Sequence, residues 1–168
     1  MGKTAQHLAA KNGIDVKKLI EKLNRAYCDE WLAYIQYWSG AQIAVGFLRG
    51  PLSEEMKEHA KEELAHAEEL AARIIQLGGE PVSDPKEWYK FTNCGYAVPK
   101  DVSTAKLLKQ NIEGERCAIA VYSELLKFVS GKDPVTEKLV LGILEDELEH
   151  EHDLEDIETD MKNICCKK

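Results

Sequence analysis

The sequence predicts an all-α chain: a four-helix bundle with one long crossover between its second and third helices. Two observations carry this reading. Apolar residues recur at helical spacing over four long stretches that Gly, Pro and Asp residues separate. The connection from Gly79 to about Val102, with Pro81, Pro85 and Pro99, is far longer than an antiparallel helix pair requires.

The first stretch runs from about Asp15, a plausible N-cap, to Gly46. Its seam is Val16, Ile20, Leu23, Tyr27, Glu30, Tyr34, Tyr37 and Ala41. Residues 1–14 read as an N-terminal extension. Gly50 and Pro51 punctuate the chain, and the second helix is expected from Ser53, ending at Gly78 and Gly79. Inside the crossover, Asp84 followed by Pro85 predicts a short helix over Asp84 to Lys90. The third helix starts near Ser103, with Leu108, Ile112, Glu115, Ile119, Tyr122, Leu126 and Val129 at steps of four and three. After Ser130-Gly131-Lys132-Asp133-Pro134 the fourth runs to about Ile164, leaving no room for a fifth bundle helix.

With 168 residues, 44% of them apolar, the chain can bury one core and reads as a single domain over 1–168. No apolar run is long enough for a membrane span and no signal pattern opens the chain, so the expected location is cytoplasmic. A net charge of −8 disfavours nucleic acid and suits the attraction of cations. Lys3, Lys11, Lys17, Lys18, Lys167 and Lys168 gather toward the two ends and keep DNA as a less favoured partner. The five cysteines, Cys28, Cys94, Cys117, Cys165 and Cys166, have no CxxC spacing, which excludes a zinc knuckle or a rubredoxin-type iron site.

The chemistry lies in a repeated motif. Glu63-Leu64-Ala65-His66 on the second helix and Glu147-Leu148-Glu149-His150 on the fourth share the Glu-x-x-His spacing, which puts carboxylate and imidazole on one helical face. Each pair can grip a metal ion while the first and third helices each add one carboxylate. Glu30 and Glu115 sit in those seams, where packing otherwise demands apolar side chains. Glu113 competes with Glu115, but two residues turn a helix by about 200° and put it on the opposite face. Glu149 and His152 compete with Glu147 and His150, yet the latter align with Leu144 and Leu154. A single Glu-x-x-His arises easily in an acidic helical chain, as Glu149-x-x-His152 nearby illustrates. Two in register with two seam glutamates do not.

Four carboxylates and two neutral imidazoles balance two divalent cations, so the site is neutral only when metallated. Oxygen and nitrogen donors without thiolate favour two iron ions per subunit, with manganese or zinc as substitutes.

At these residues the chain resembles the ferritin-like superfamily from about Asp15 to Ile164. Glu30 followed by Tyr37 matches the first helix of ferritins and bacterioferritins. Glu115 followed by Tyr122 looks like the third helix of rubrerythrin relatives. Asp146-Glu147-x-x-His150-x-x-x-Leu154-Glu155 is very close to the bacterioferritin fourth-helix motif. Where bacterioferritin carries its haem methionine, this chain has Leu64, so the resemblance implies no haem. The absent fifth helix and the short crossover helix resemble the Dps proteins, which form twelve-subunit shells with sites between subunits. A bacterioferritin-like site within one bundle, with Cys94 in the crossover and Cys117 on the third helix, is similar to the Dps-like family called thioferritin.

That resemblance implies a ferroxidase that oxidises Fe(II) with hydrogen peroxide or dioxygen at an intra-subunit di-iron centre. It also implies ferric mineral stored in a dodecameric shell, protecting against oxidative stress. It pairs Cys94 with Cys117 as a disulfide or dithiol and leaves Cys28, Cys165 and Cys166 without a role. Tyr37 is expected beside the metals, and Trp31 and Trp38 in packing. The alternatives are a di-iron or di-manganese peroxidase or catalase without storage, and a DNA-coating protein.

Overall fold

The computed structural model describes residues 3–165, so Cys166, Lys167 and Lys168 lie outside the described residues. The described residues form α1 (Lys3–Lys11), α2 (Val16–Ile43), α3 (Arg49–Gln76), α4 (Pro85–Phe91), α5 (Thr104–Val129) and α6 (Pro134–Cys165). Helices α2 and α3 pack as one hairpin and α5 and α6 as a second, and the two face each other to make the bundle.

Asp15 caps α2, its carboxylate accepting from the Lys18 amide at 3.1 Å. Three expected boundaries differ, the first being the end of α2, at Ile43 rather than Gly46. Residues 1–14 contain α1, whose Ala9, with Ile14 after it, joins the core beside α2 and α3. Helix α3 begins four residues before Ser53, at Arg49, because Pro51 falls in the first turn, where its missing N–H would have had no helical acceptor. The turn before it places Leu48 at φ 65°. It is tied to the start of α5 by the Val45 amide donating to the Val102 carbonyl at 2.9 Å and Thr104 Oγ1 to the Phe47 carbonyl at 2.9 Å.

The crossover is pinned to α2 along its length. Asn24 donates to the Glu80 carbonyl at 3.1 Å and accepts from the Val82 amide at 2.9 Å. Asp84 caps α4 with Pro85 in its first turn, and Trp88 stacks on Trp31 with ring centroids 4.9 Å apart. Trp38, by contrast, is largely exposed rather than packed.

The core consists of two apolar clusters, not one. Leu23, Ala67, Leu70, Tyr122 and Ile143 belong to the first, and Tyr37, Met56, Ala60, Ile112 and Leu154 to the second. Each bundle helix passes from one cluster to the other through a buried polar layer. No helix among the described residues is long and apolar enough to cross a membrane.

Candidate metal centre

The polar layer contains Glu30 from α2, Glu63 and His66 from α3, Glu115 from α5, and Glu147 and His150 from α6, all between 1 and 4% exposed. The competing residues Glu113, Glu149 and His152 are on the outside. The six expected side chains converge as two overlapping donor groups: Glu30, Glu63, His66 and Glu147 form one, and Glu63, Glu115, Glu147 and His150 the other. Glu63 and Glu147 belong to both, as carboxylates that bridge two cations must.

Distances and protons both fit a metal pair. His66 Nδ1 lies 3.5 Å from Glu30 Oε2, 3.6 Å from Glu63 Oε2 and 3.5 Å from Glu147 Oε1. His150 Nδ1 lies 3.5 Å from Glu63 Oε1 and 3.8 Å from Glu147 Oε2. Two ligands of one cation, each about 2.1 Å from it, stand about 3 to 3.5 Å apart. The other ring nitrogens are committed: His66 Nε2 is 3.0 Å from Asp146 Oδ2, and His150 Nε2 is 2.7 Å from Glu62 Oε2. With Nε2–H donating to those carboxylates, each Nδ1 points at the inward carboxylate oxygens, holding a proton in the metal-free layer and offering its lone pair to a cation once that proton leaves. Both Nδ1 atoms, Glu30 Oε2 and both oxygens of Glu147 are buried with no hydrogen-bond partner among the described residues. Stripped of protons, these inward atoms would be acceptors facing acceptors in a dry layer, a cost of several kcal/mol that cations remove, so the donor set fits two hard or borderline divalent ions.

Titration of the cluster tells the same story. Burial, then the Glu63 and Glu147 carboxylates, pushes Glu30 well above the ordinary range; burial, then Glu147 and Glu63, does the same to Glu115. Burial opposes ionisation of Glu63 too, but the neighbouring Glu30, His150 and His66 groups overcome it and hold Glu63 low. Burial works against charging His66 and His150, yet their carboxylate partners prevail, driving His66 far up and His150 to about 12. The layer therefore holds protons tightly, and a cation has to displace them.

Two tyrosines support the outer carboxylates across the bundle. Tyr37 on α2 donates to Glu115 Oε1 on α5, and Tyr122 on α5 donates to Glu30 Oε1 on α2. Tyr34 is only partly buried and makes no such contact.

Cys94 and Cys117 are joined as a disulfide, with Cα atoms 5.8 Å apart. What holds Cys94 there is Asp29, a buried carboxylate that the sequence reading passed over. Asp29 accepts from the Cys94 amide at 3.0 Å, the Asn93 amide at 2.7 Å, Asn93 Nδ2 at 2.6 Å, and the Thr92 hydroxyl. A cavity of about 240 Å3 has both cysteines, Asp29 and the four proposed ligand carboxylates in its wall. Cys28 stays apart as a buried thiol, pushed up to about 12 by burial and then by Asp29. Asp29 and Glu62 were missed from the sequence, and Asp146 stood in the fourth-helix motif without a role; each directly precedes a candidate ligand glutamate, which is the signal that was available.

Residues 20–164 match the ferritin-like domain family. A "DNA protection during starvation protein" of Pyrococcus furiosus is 38% identical over 156 residues, 92% of this chain and 84% of that protein. A Bacteroides fragilis protein described as a dodecameric thioferritin is 43% identical, with a TM-score of 0.96 over 99% of both chains. The Desulfovibrio desulfuricans bacterioferritin, described as having a diiron site, is 28% identical, with a TM-score of 0.74 over 95% of this chain and 85% of that one. On this match, and on the bundle that produces it, the chain belongs to the ferritin-like family.

Proposed function

We propose that the chain is a ferroxidase subunit that takes up two Fe(II) ions between Glu30, Glu63, His66, Glu115, Glu147 and His150, oxidises them, and stores the ferric product in a shell of its own copies. The observation that carries this is the sharing of Glu63 and Glu147 by two donor groups whose inward atoms have no partner among the described residues. Each Fe(II) loses one electron. Two such electrons and two protons convert one hydrogen peroxide to two waters, or one dioxygen to one hydrogen peroxide. The chain's residues position the ions, exclude water from the layer, and accept protons on the same carboxylates that release them on loading. The cavity beside the carboxylates gives a small oxidant a path to them.

Assembly into a shell is supported by the dodecamer described for the Bacteroides fragilis protein and by exposed Trp38, Ile43, Val45 and Phe47, an apolar stretch suited to a subunit contact. Consumption of Fe(II) and peroxide explains protection from oxidative stress, and a cytoplasmic location goes with that reading. The test is anaerobic Fe(II) titration followed by a pulse of peroxide or dioxygen, with native mass spectrometry of the assembly. Two Fe(II) oxidised per chain within a dodecamer supports the proposal. A monomer or dimer removes the storage half, and equal iron binding by wild type and Glu115→Ala removes the ligand set.

The disulfide in the cavity wall favours one second reading, a peroxidase in which a Cys94 and Cys117 dithiol supplies the two electrons and becomes the disulfide. Continued peroxide turnover with a thiol reductant, lost in Cys94→Ser, would distinguish it from stoichiometric iron oxidation.

A further inference from the structure

His59 lies on α3 seven residues before His66, in the polar layer but outside the ligand set above. It is 1% exposed, stacks on His150 with ring centroids 4.0 Å apart, and meets Tyr37 edge-on at 5.2 Å. The position seven residues before His150 on α6 is Ile143, a buried apolar side chain. The corresponding position on the other hairpin is thus filled by a hydrocarbon, whereas the His59 imidazole leaves both Nδ1 and Nε2 without a hydrogen-bond partner among the described residues. Nε2 lies 3.2 Å from Glu55 Oε1, out of line for a hydrogen bond, and 3.9 Å from Asp153 Oδ2, beyond hydrogen-bond reach.

These three residues line a second cavity of about 380 Å3, whose wall also carries the carboxylates of Glu58, Glu62, Asp146 and Asp156. Its focused negative potential concentrates divalent cations. At its base, Glu55, His59 and Asp153 can all reach one ion. His59 also falls within reach of an ion shared with Glu115 and His150.

We propose that Glu55, His59 and Asp153 form a third divalent-cation site, a loading station for Fe(II) from which His59 passes the ion to the Glu115 and His150 side of the paired centre. The transfer role rests on the function proposed above; the binding site does not. One imidazole and two carboxylates, with no thiolate, suit Fe(II), Mn(II) or Co(II). No electron moves in this step: the ion exchanges the Glu55 and Asp153 oxygens for those of the centre.

The test uses the assembled full-length protein and Co(II), a redox-silent probe under anaerobic conditions, with the bound ions counted by equilibrium dialysis and metal analysis. Wild type is expected to bind three ions per chain and the Glu55→Gln/Asp153→Asn variant two. These two side chains are at the rim, so their neutralisation leaves the bundle packing intact. The variant should oxidise its first two Fe(II) per chain normally and reload on the order of tenfold more slowly. His59→Leu, which restores an apolar side chain, should bind two ions as well. A wild-type count of two overturns the third site and leaves the paired centre standing. One ion that disappears in the rim variant supports the third site and removes the paired centre. Three ions in both wild type and the rim variant overturn the site, and an unchanged reloading rate in that variant overturns the transfer role.

Discussion

The hairpin α2 and α3 and the hairpin α5 and α6 present nearly the same polar face to each other. Glu30 corresponds to Glu115, Tyr37 to Tyr122, Glu63 to Glu147, His66 to His150, and Glu62 to Asp146. The contacts exchange in the same way, for each tyrosine reaches the opposite hairpin's glutamate and each Glu62 or Asp146 carboxylate the opposite hairpin's histidine. Among the positions that break the match, three matter for access: Asp29 corresponds to Gly114, Cys117 to Leu32, and His59 to Ile143. The difference separates two tasks. What the hairpins share is the donor set proposed for a pair of ions, and what only one hairpin has lines the cavity on each side of it: a disulfide-walled cavity and an acidic one.

The largest effect should come from the shared carboxylates. Glu63→Ala or Glu147→Ala is expected to lose both ions, weakening binding by at least about a hundredfold, whereas Glu30→Ala or Glu115→Ala should lose one and keep one. Calorimetric titration with Co(II) counts them. Equal losses from all four variants would deny Glu63 and Glu147 their bridging place.

Next comes the pH dependence of stability. Glu30 and Glu115 are raised above 4.5, and His66 and His150 above 6.5, so the metal-free fold binds protons that the unfolded chain releases. Its stability falls as pH rises from about 4.5; the His150 contribution, fully present below 6.5, is lost as pH climbs through about 12. Glu63 works in the opposite sense, losing its contribution only as pH falls below 4.5. Because a cation displaces these protons, the melting-temperature gap between metal-loaded and chelator-treated protein should widen from about pH 6 to about pH 9. A gap that stays constant contradicts the proton-held layer.

Asp146→Asn and Glu62→Gln probe the correspondence at its outer edge, each expected to weaken metal binding by about tenfold to a hundredfold through loss of imidazole orientation. A large effect from one and none from the other would mean the two ion positions are not equivalent. Smaller again is the asymmetric pair. Asp29→Asn removes a carboxylate holding four donors and should cost about 1 to 3 kcal/mol in denaturant unfolding. Gly114→Ala should stabilise by up to about 1 kcal/mol, since the new Cβ meets only Gln36 Nε2, at an ordinary 3.7 Å.

Spacing along one helix was legible in the sequence; contact between helices was not. The Glu-x-x-His pairs and the preference for Glu115 over Glu113 follow from helical geometry alone, and the structure buries these residues together. Pro51 hid the first turn of α3, because proline reads as a break unless the chain is known to be entering a helix. Helix α1 is nine residues long with one buried side chain, too little pattern to distinguish it from an extension. Asp29 and His59 look like ordinary residues of an acidic helical chain, and their roles depend on which part of the crossover or of α6 settles opposite. Aligning the two Glu-x-x-His motifs would have revealed His59 as the histidine whose counterpart is apolar.

Anomalous diffraction at the iron edge, on crystals loaded with Fe(II) under anaerobic conditions, tests the paired centre most directly. Two peaks per chain are expected on either side of the Glu63 and Glu147 carboxylates, one against Glu30 and His66 and the other against Glu115 and His150. A single peak in the polar layer, or iron only on the acidic outer surface, would contradict the two-ion centre.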